Sequence, residues 1–395
     1  MGDCARYRPG PMTESCDVVV IGAGAVGAAC AYHLAEAGLR VTVVDRGSVA
    51  GGTTGAGEGN ILVSDKEPGP ELELALLSLR AWRELPPAVT RAAELDPKGG
   101  LVVAATADEL AGLTTLAEAQ RAAGVEAVPV ASERLTELEP ELAPDLAGGM
   151  FYPQDMQVQP MLAAAHLIAA ARRRGARVLP GEPVAEVLRA GERVTGVRTP
   201  RRAIAAGVVV NAAGVWGGEI AALAGVELPV LPRRGFILVT EPVGPLIRHK
   251  LYAASYVGDV HGSSEGLETS PVIEGTASGT ILIGSSRERV GFDTRLSMTA
   301  LAQMARHAIR LVPVLGRVRA MRAYLGFRPY SPDHLPMIGA DRRAPGLFHA
   351  CGHEGAGIGL SAATGLLVAE QVTGRPTSLP LAAFAPDRFV EAGKP

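Results

Sequence analysis

The sequence predicts an α/β protein of two domains, one built on a parallel sheet and the other an α+β domain with a sheet of its own. Three observations carry this. Helix-like and strand-like stretches alternate along the chain. A strand, a glycine-rich turn and an alanine-rich helix open it, and the same outline recurs near its end. The 395 residues, 47% of them hydrophobic, are enough for two cores.

Residues 1–16, MGDCARYRPGPMTESC, lack the apolar core of a signal peptide and read as a flexible tail, with Met12 an alternative start to Met1. Val18 to Ile21 is a short apolar run that suits a strand buried on both faces. Gly22, Gly24 and Gly27 then give G-x-G-x-x-G. The first glycine allows the tight turn, the second lets backbone approach a pyrophosphate, and the third lets helix and strand pack closely. Ala25 and Val26 open a helix that Gly38 stops. Val41 to Val44 is the next strand, closed by Asp45 and Arg46. An acid at that point accepts hydrogen bonds from ribose hydroxyls and repels a 2′-phosphate. Glycine-rich turns are common. Strand, glycines, helix, strand and acid in this order mark a Rossmann-like dinucleotide site.

That unit does not separate NAD from FAD, but two later features decide for FAD. A second glycine-rich loop, RGSVAGGTTGAGEGN (46–60), follows Asp45. An extended FAD has to cross such a loop, where Thr53 and Thr54 offer hydroxyls and Glu58, Gly59 and Asn60 are candidates to border the cofactor. The late stretch GLFHACGHEGAGIGLSAATGLLVAEQVTG (346–374) repeats strand, glycine turn and helix. Gly355, Gly357, Ile358 and Gly359 bring backbone N–H groups and the positive end of a helix to a ligand. No second fingerprint for a separate nicotinamide site occurs in the sequence.

The remaining elements follow from pattern. Residues 71–96 read as a helix broken at Pro86-Pro87, 99–106 as a strand and 107–123 as a helix. Residues 161–188 give a helix, a stop at Gly175 and strands; RVTGVRT, VVVNAAG, 233–242 and 279–288 are strands. Residues 297–315 and 357–372 are helices. The nucleotide-site segments are far apart in sequence, so the FAD-binding domain is expected to be discontinuous: 17–85, 150–225 and 326–385. Residues 86–149 and 226–325 are expected to form the substrate domain, with the ligand pocket at the junction.

Net charge is −3, with no basic patch for nucleic acid. Cys4, Cys16, Cys30 and Cys351 show no metal-ligand spacing, so neither zinc nor an iron–sulfur centre is expected. No apolar run reaches the length of a membrane span, and a cytoplasmic protein is expected.

Four motifs in order, VVVIGAGAVGAACAYHLAEAG, VVVNAAGVW (208–216), GFRPYSPDHLPMIG (326–339) and GHEGAGIGLSAATG (352–365), resemble the D-amino-acid oxidase/glycine oxidase superfamily of FAD-dependent oxidoreductases. The resemblance covers about Asp17 to Phe384. It places Ala213 and Gly214 at the cofactor and Val184 where family members contact adenine through backbone. It makes Arg328 the fork for the substrate carboxylate, a role that suits a planar guanidinium. Family members with covalent flavin carry a cysteine just before the proline-rich stretch; YLGFRPY has none, which implies noncovalent FAD.

The implied reaction is oxidation of a small amino or imino acid (D-amino acid, glycine or cyclic imino acid). A hydride passes from Cα to flavin N5 and leaves an imine, while the amine proton goes to solvent. His353 in the late glycine turn is a candidate to steer substrate or tune flavin charge. Tyr256 and His261 are candidates for a lid. GEGNILVSDKEPGPELELA and ACGHEGAGIGLSAATG look closest to the branch with hydroxyproline dehydrogenases, opine oxidases and hydrogen cyanide synthase. That branch implies an alternative, a flavin subunit passing electrons to partner redox subunits rather than to O2. A homo- or hetero-oligomer fits either reading. A non-catalytic FAD-binding interaction subunit is the reading from another class.

Overall fold

The computed structural model describes residues 14–256 and 264–390. Its first strand, Glu14–Ile21, runs in the middle of a sheet and pairs in parallel on both sides. Val18 and Val20 enter one core and Val19 and Ile21 the other, so both faces are buried as the apolar run predicts. The strand begins earlier than expected. Glu14, Ser15 and Cys16 pair with Ile204, Ala205 and Ala206, so residues 14–16 belong to the sheet and not to a tail. Polar residues hid this: Glu14 earns its place at the strand start through ion pairs to Arg177 and Arg202.

The order across this sheet is Met337–Ala340, Leu347–Cys351, Ala203–Asn211, Glu14–Ile21, Val41–Asp45, Arg177–Pro180. Arg193–Arg198 and Glu186–Ala190 form an antiparallel extension beside Ala203–Asn211. The Ala25–Glu36 helix packs on the sheet against the Gly357–Val372 and Pro160–Arg173 helices. Trp82, on the Pro70–Glu84 helix, is fully buried and donates through Nε1 to the Gly359 carbonyl at 3.1 Å; Ser78 Oγ donates to the same oxygen at 2.6 Å. These two bonds fix the first turn of the last helix, and truncating such a tryptophan costs about 3–5 kcal/mol.

The second sheet runs Ala320–Tyr330, Leu231–Thr240, Ile281–Arg287, Glu268–Gly275, Lys250–Ala253, Gly100–Ala104, Gly148–Tyr152, Val128–Ala131. Only the contact between Lys250–Ala253 and Gly100–Ala104 is parallel. Two expected boundaries shift. Ala320–Tyr330 is one continuous strand, paired with Leu231–Thr240 along its length, so residues 326–330 belong to the second sheet. Gly148–Tyr152 also lies in that sheet, across the boundary placed at 149/150. Mixed polarity, Pro329 and a lack of alternation concealed the first strand. The helix read over 297–315 ends at Leu311, and Pro313 opens a 3-10 turn.

Candidate active site

A long cleft begins at the glycine turn. Gly22 has φ +109°, and a Cβ there would come within 2.9 Å of the Ala212 carbonyl carbon. No other residue fits so tight an approach. The helix behind it starts at Ala25, whose N–H donates to Thr54 Oγ1 at 2.9 Å. Thr53 Oγ1 donates to the Phe327 carbonyl at 2.7 Å and so ties the second glycine-rich loop to the second sheet.

At one end the cleft is walled by Gly22, Asp45, Arg46, Val184 and Ala213. Asp45 accepts from the N–H of Ala23 and of Gly47, each at 2.7 Å, which clamps the strand end to the glycine turn. Arg46 stacks on Trp216 with its guanidinium carbon 3.6 Å from the ring centroid. Gly24, Thr53, Thr54, Ala212 and Gly214 border both halves of the cleft, so the two are continuous. The other half is walled by Ala25, Val26, Glu58, Asn60, Tyr256, Arg328, His353, Gly355, Gly357 and Ile358. The structure thus brings together nearly all the sequence-derived site residues.

Three glycines act in packing instead of lining the cleft. Gly27 lies against the Gly22 backbone, Gly59 against the Val158 backbone and Gly359 against the Asn60 carbonyl. His261 lies outside the described residues.

Arg328 enters the cleft from the Ala320–Tyr330 strand. Gly235 is opposite its neighbour Gly326 in the ladder, and a Cβ on Gly235 would stand 2.9 Å from Arg328 Cζ. A Cβ on Gly355, on another side, would stand 3.4 Å from Arg328 Nε. Arg328 Nη1 donates to the Ser286 carbonyl at 2.8 Å. Burial pushes its pKa down to about 10, helped by Arg287 and Arg233, so the guanidinium stays cationic at neutral pH. Its neighbours are already matched: Lys66 sits 3.1 Å from Asp65 and 3.2 Å from Glu71, and Arg233 bridges Glu268 and Glu354 at 3.3 and 3.4 Å. Arg328 has no carboxylate within ion-pair distance among the described residues.

His353 is buried, and its Nε2 lies 3.0 Å from Thr364 Oγ1. Thr364 donates its own hydrogen to the Leu360 carbonyl, so Nε2 carries the proton and donates. Burial pushes the His353 pKa down to about 3, and the imidazole is neutral. The cleft's positive charge on this side therefore resides in Arg328 and the start of the Gly357–Val372 helix, not in His353. Tyr256 packs edge-on to Tyr252 at 5.6 Å, with Arg287 over its ring. Cys351 is a cleft-wall thiol whose pKa burial pushes up to about 12, and it packs against Gly217.

Sequence reading missed Trp216, Gly235, Ser286, Lys250 and Glu274 as site parts. Trp216 ends a motif already singled out. The others come from strands whose register no local signal reveals.

Comparison with known families matches residues 17–371 to FAD dependent oxidoreductases. The chain belongs to that family. It is 32% identical to hydrogen cyanide synthase subunit HcnC of Pseudomonas aeruginosa, over 96% of this chain and 97% of that one. It is 30% identical to glycine oxidase of Geobacillus kaustophilus, over 96% and 98%. The crystal structure of glycine oxidase from that organism superimposes with a TM-score of 0.86 at 29% identity, covering 96% of this chain and 100% of the other. The cleft fits the family's cofactor on its own terms. Its glycine turn admits backbone approach only where a Cβ is absent, and its far end carries a buried acceptor oxygen, Asn60 Oδ1, without a protein hydrogen bond. No described helix is long and apolar enough to cross a membrane.

Proposed function

We propose that this oxidoreductase acts on a small amino or imino acid whose carboxylate is held by Arg328. The observation that carries this is a cleft-facing guanidinium held over Gly235, fixed by Ser286 and left without a carboxylate partner among the described residues. A substrate carboxylate completes it through two parallel hydrogen bonds. Bound FAD supplies the two-electron acceptor for oxidation of the Cα–N bond. The chain would hold FAD noncovalently along the cleft from Asp45 to Asn60, with Thr54 and Gly214 at its middle. The helix start at Gly357 favours negative charge on the ligand in front of it. Buried Ile237 walls the same cleft and gives it an apolar surface beside Gly284.

The test is anaerobic mixing of the yellow holoenzyme with glycine, sarcosine, D-amino acids, D-proline, cis-4-hydroxy-D-proline and opines. Bleaching of the long-wavelength flavin band by one class supports the reading and names the class. No bleaching by any member, with FAD stoichiometric, counts against it. Admitting air afterwards shows whether O2 re-oxidises the flavin.

A second reading, a flavin subunit that hands electrons to a partner, is favoured by the similarity to HcnC, itself named a subunit. Val290, Phe292, Leu296 and Met298 also expose apolar side chains along one short stretch. Co-purification of redox-active partners from the native source, with slow re-oxidation of the isolated chain in air, supports it.

A further inference from the structure

Glu58 stands at the end of the second glycine-rich loop, inside the same cleft wall as Arg328 and Tyr256. Its Oε2 accepts from Asn60 Nδ2 at 3.1 Å and lies 3.7 Å from Lys250 Nζ. Lys250 is fully buried and lies 2.8 Å from Glu274 Oε2, which also accepts from the Gly59 N–H at 3.0 Å. Glu58 Oε1 is different: it is buried and accepts no hydrogen bond. A Cβ on Gly284 would stand 2.7 Å from it, so the glycine keeps that side clear. The strand that carries Gly284 also presents the Ser286 carbonyl to Arg328. Glu58 and Arg328 therefore border one strand within electrostatic reach of each other.

An orphaned buried acceptor is costly unless a ligand donor meets it. The charges say which donor. Glu58, Lys250 and Glu274 sum to −1 when all are ionised, and one added proton or one apposed cation neutralises the group. With a carboxylate on Arg328, the substrate's ammonium is the cation at hand.

We propose that Glu58 receives the amino group of the substrate and takes its proton. The inference rests on the amino-acid reading above and replaces solvent by a protein base. One N–H bond of the ammonium breaks, the proton goes to Glu58 Oε1, and the electron pair stays on nitrogen as the amine lone pair. No oxidant is consumed in this step. The lone pair is then available for the C=N bond as the Cα hydrogen leaves with two electrons to the FAD acceptor. The groups facing Glu58 are Lys250, Glu274, Asn60, Arg328, Tyr256 and Tyr324. Burial raises its pKa, and Lys250 opposes that rise, which suits a group that must both hold and release a proton.

The test uses two ligands that cannot be oxidised at Cα in the amino-acid manner. α-Aminoisobutyrate has an amino group but no Cα hydrogen; isobutyrate lacks the amino group. Each is titrated into the FAD-loaded wild type and Glu58→Gln, with perturbation of the flavin band as readout. The variant is expected to bind α-aminoisobutyrate at least about tenfold more weakly, the loss of one charge-assisted hydrogen bond, and isobutyrate within about threefold. In the wild type itself, preference for α-aminoisobutyrate over isobutyrate is expected to fall as pH is lowered and Glu58 takes up its proton, which burial makes it do above the ordinary carboxylate range, a readout that does not depend on the variant folding. An unchanged preference in Glu58→Gln, or a flat preference with pH, overturns the proposal and leaves the role of Arg328 standing. An altered flavin spectrum without ligand, with preference kept, assigns Glu58 to the cofactor and also overturns it. Failure of the wild type to bind either ligand overturns the amino-acid reading together with this one.

Discussion

Gly235 and Arg328 occupy one space: the missing side chain of the first is where the guanidinium of the second lies. A methyl group on Gly235 would approach Arg328 Cζ to 2.9 Å and the Ser286 carbonyl, which holds Arg328, to 2.6 Å. Glycine at 235 is therefore required by the position of Arg328, and on the proposed reading by its grip on a carboxylate. Gly235→Ala is expected to retain FAD, lose about 1–3 kcal/mol of stability through overpacking, and raise KM for the amino acid more than it lowers kcat. Steady-state kinetics with a parallel melting curve checks this. Unchanged KM would show that Arg328 can relocate at no cost.

Asp45 is expected to set the hold on the distal end of FAD. Its two carboxylate oxygens each accept one backbone N–H, and the same side chain walls the cleft. Asp45→Ala leaves both donors without partners, a loss of about 1–3 kcal/mol. Reconstitution of the apoprotein, followed by flavin fluorescence quenching, should show FAD affinity reduced by about tenfold or more. Full affinity in the variant would remove Asp45 from the cofactor site.

FAD is expected to leave the denatured protein. The only described cysteine in the cleft wall, Cys351, is a fully packed thiol kept protonated to about pH 12. Acid precipitation should leave the yellow colour in the supernatant, with a coloured pellet as the contrary result.

His353 carries a stability signature with a definite sign. Its folded pKa of about 3 lies below the ordinary histidine value near 6.5. Above pH about 6.5 both folded and unfolded imidazoles are neutral and the contribution is intact. As pH falls, the unfolded chain takes up the proton first, and stability drops by about 1.4 kcal/mol per pH unit toward pH 3. His349, buried between Asn211 and Asp341, has its pKa lowered as well and adds a slope of the same sign. Denaturant unfolding at fixed FAD between pH 7.5 and 5 should be less steep by one proton in His353→Asn than in the wild type. Equal slopes would mean that His353 is already charged in the folded protein.

What the sequence made legible follows from how local each signal is. Gly22, Gly24 and Asp45 lie within one βαβ unit, so spacing alone places them together, and the structure has them on one cleft. The late turn at Gly355 and Gly357 is equally local. Arg328 required a motif, because nothing in FRPY says which strand it faces; its setting depends on Gly235, 93 positions earlier, and on Ser286. Lys250 and Glu274 were opaque for the same reason. The pairing of Lys250 with Glu274 arises from the order of strands in the second sheet, which periodicity does not encode, and it brings Lys250 to Glu58. His353 was found in the right place, but its charge state depends on burial and on Thr364, neither visible in a linear motif.

Carboxylate binding at Arg328 is the measurement that decides the substrate site. FAD-loaded wild type and Arg328→Lys would be titrated with the amino acid that bleaches the flavin, with substrate depletion prevented by rapid mixing, and the dissociation constant taken from the saturation of the bleaching rate. Losing a buried two-point contact to a carboxylate costs about 2–5 kcal/mol, so binding should weaken by about 30-fold or more while FAD content and absorbance stay the same. Equal affinity in wild type and variant, with FAD fully bound in both, would contradict the assignment of Arg328 as the substrate anchor.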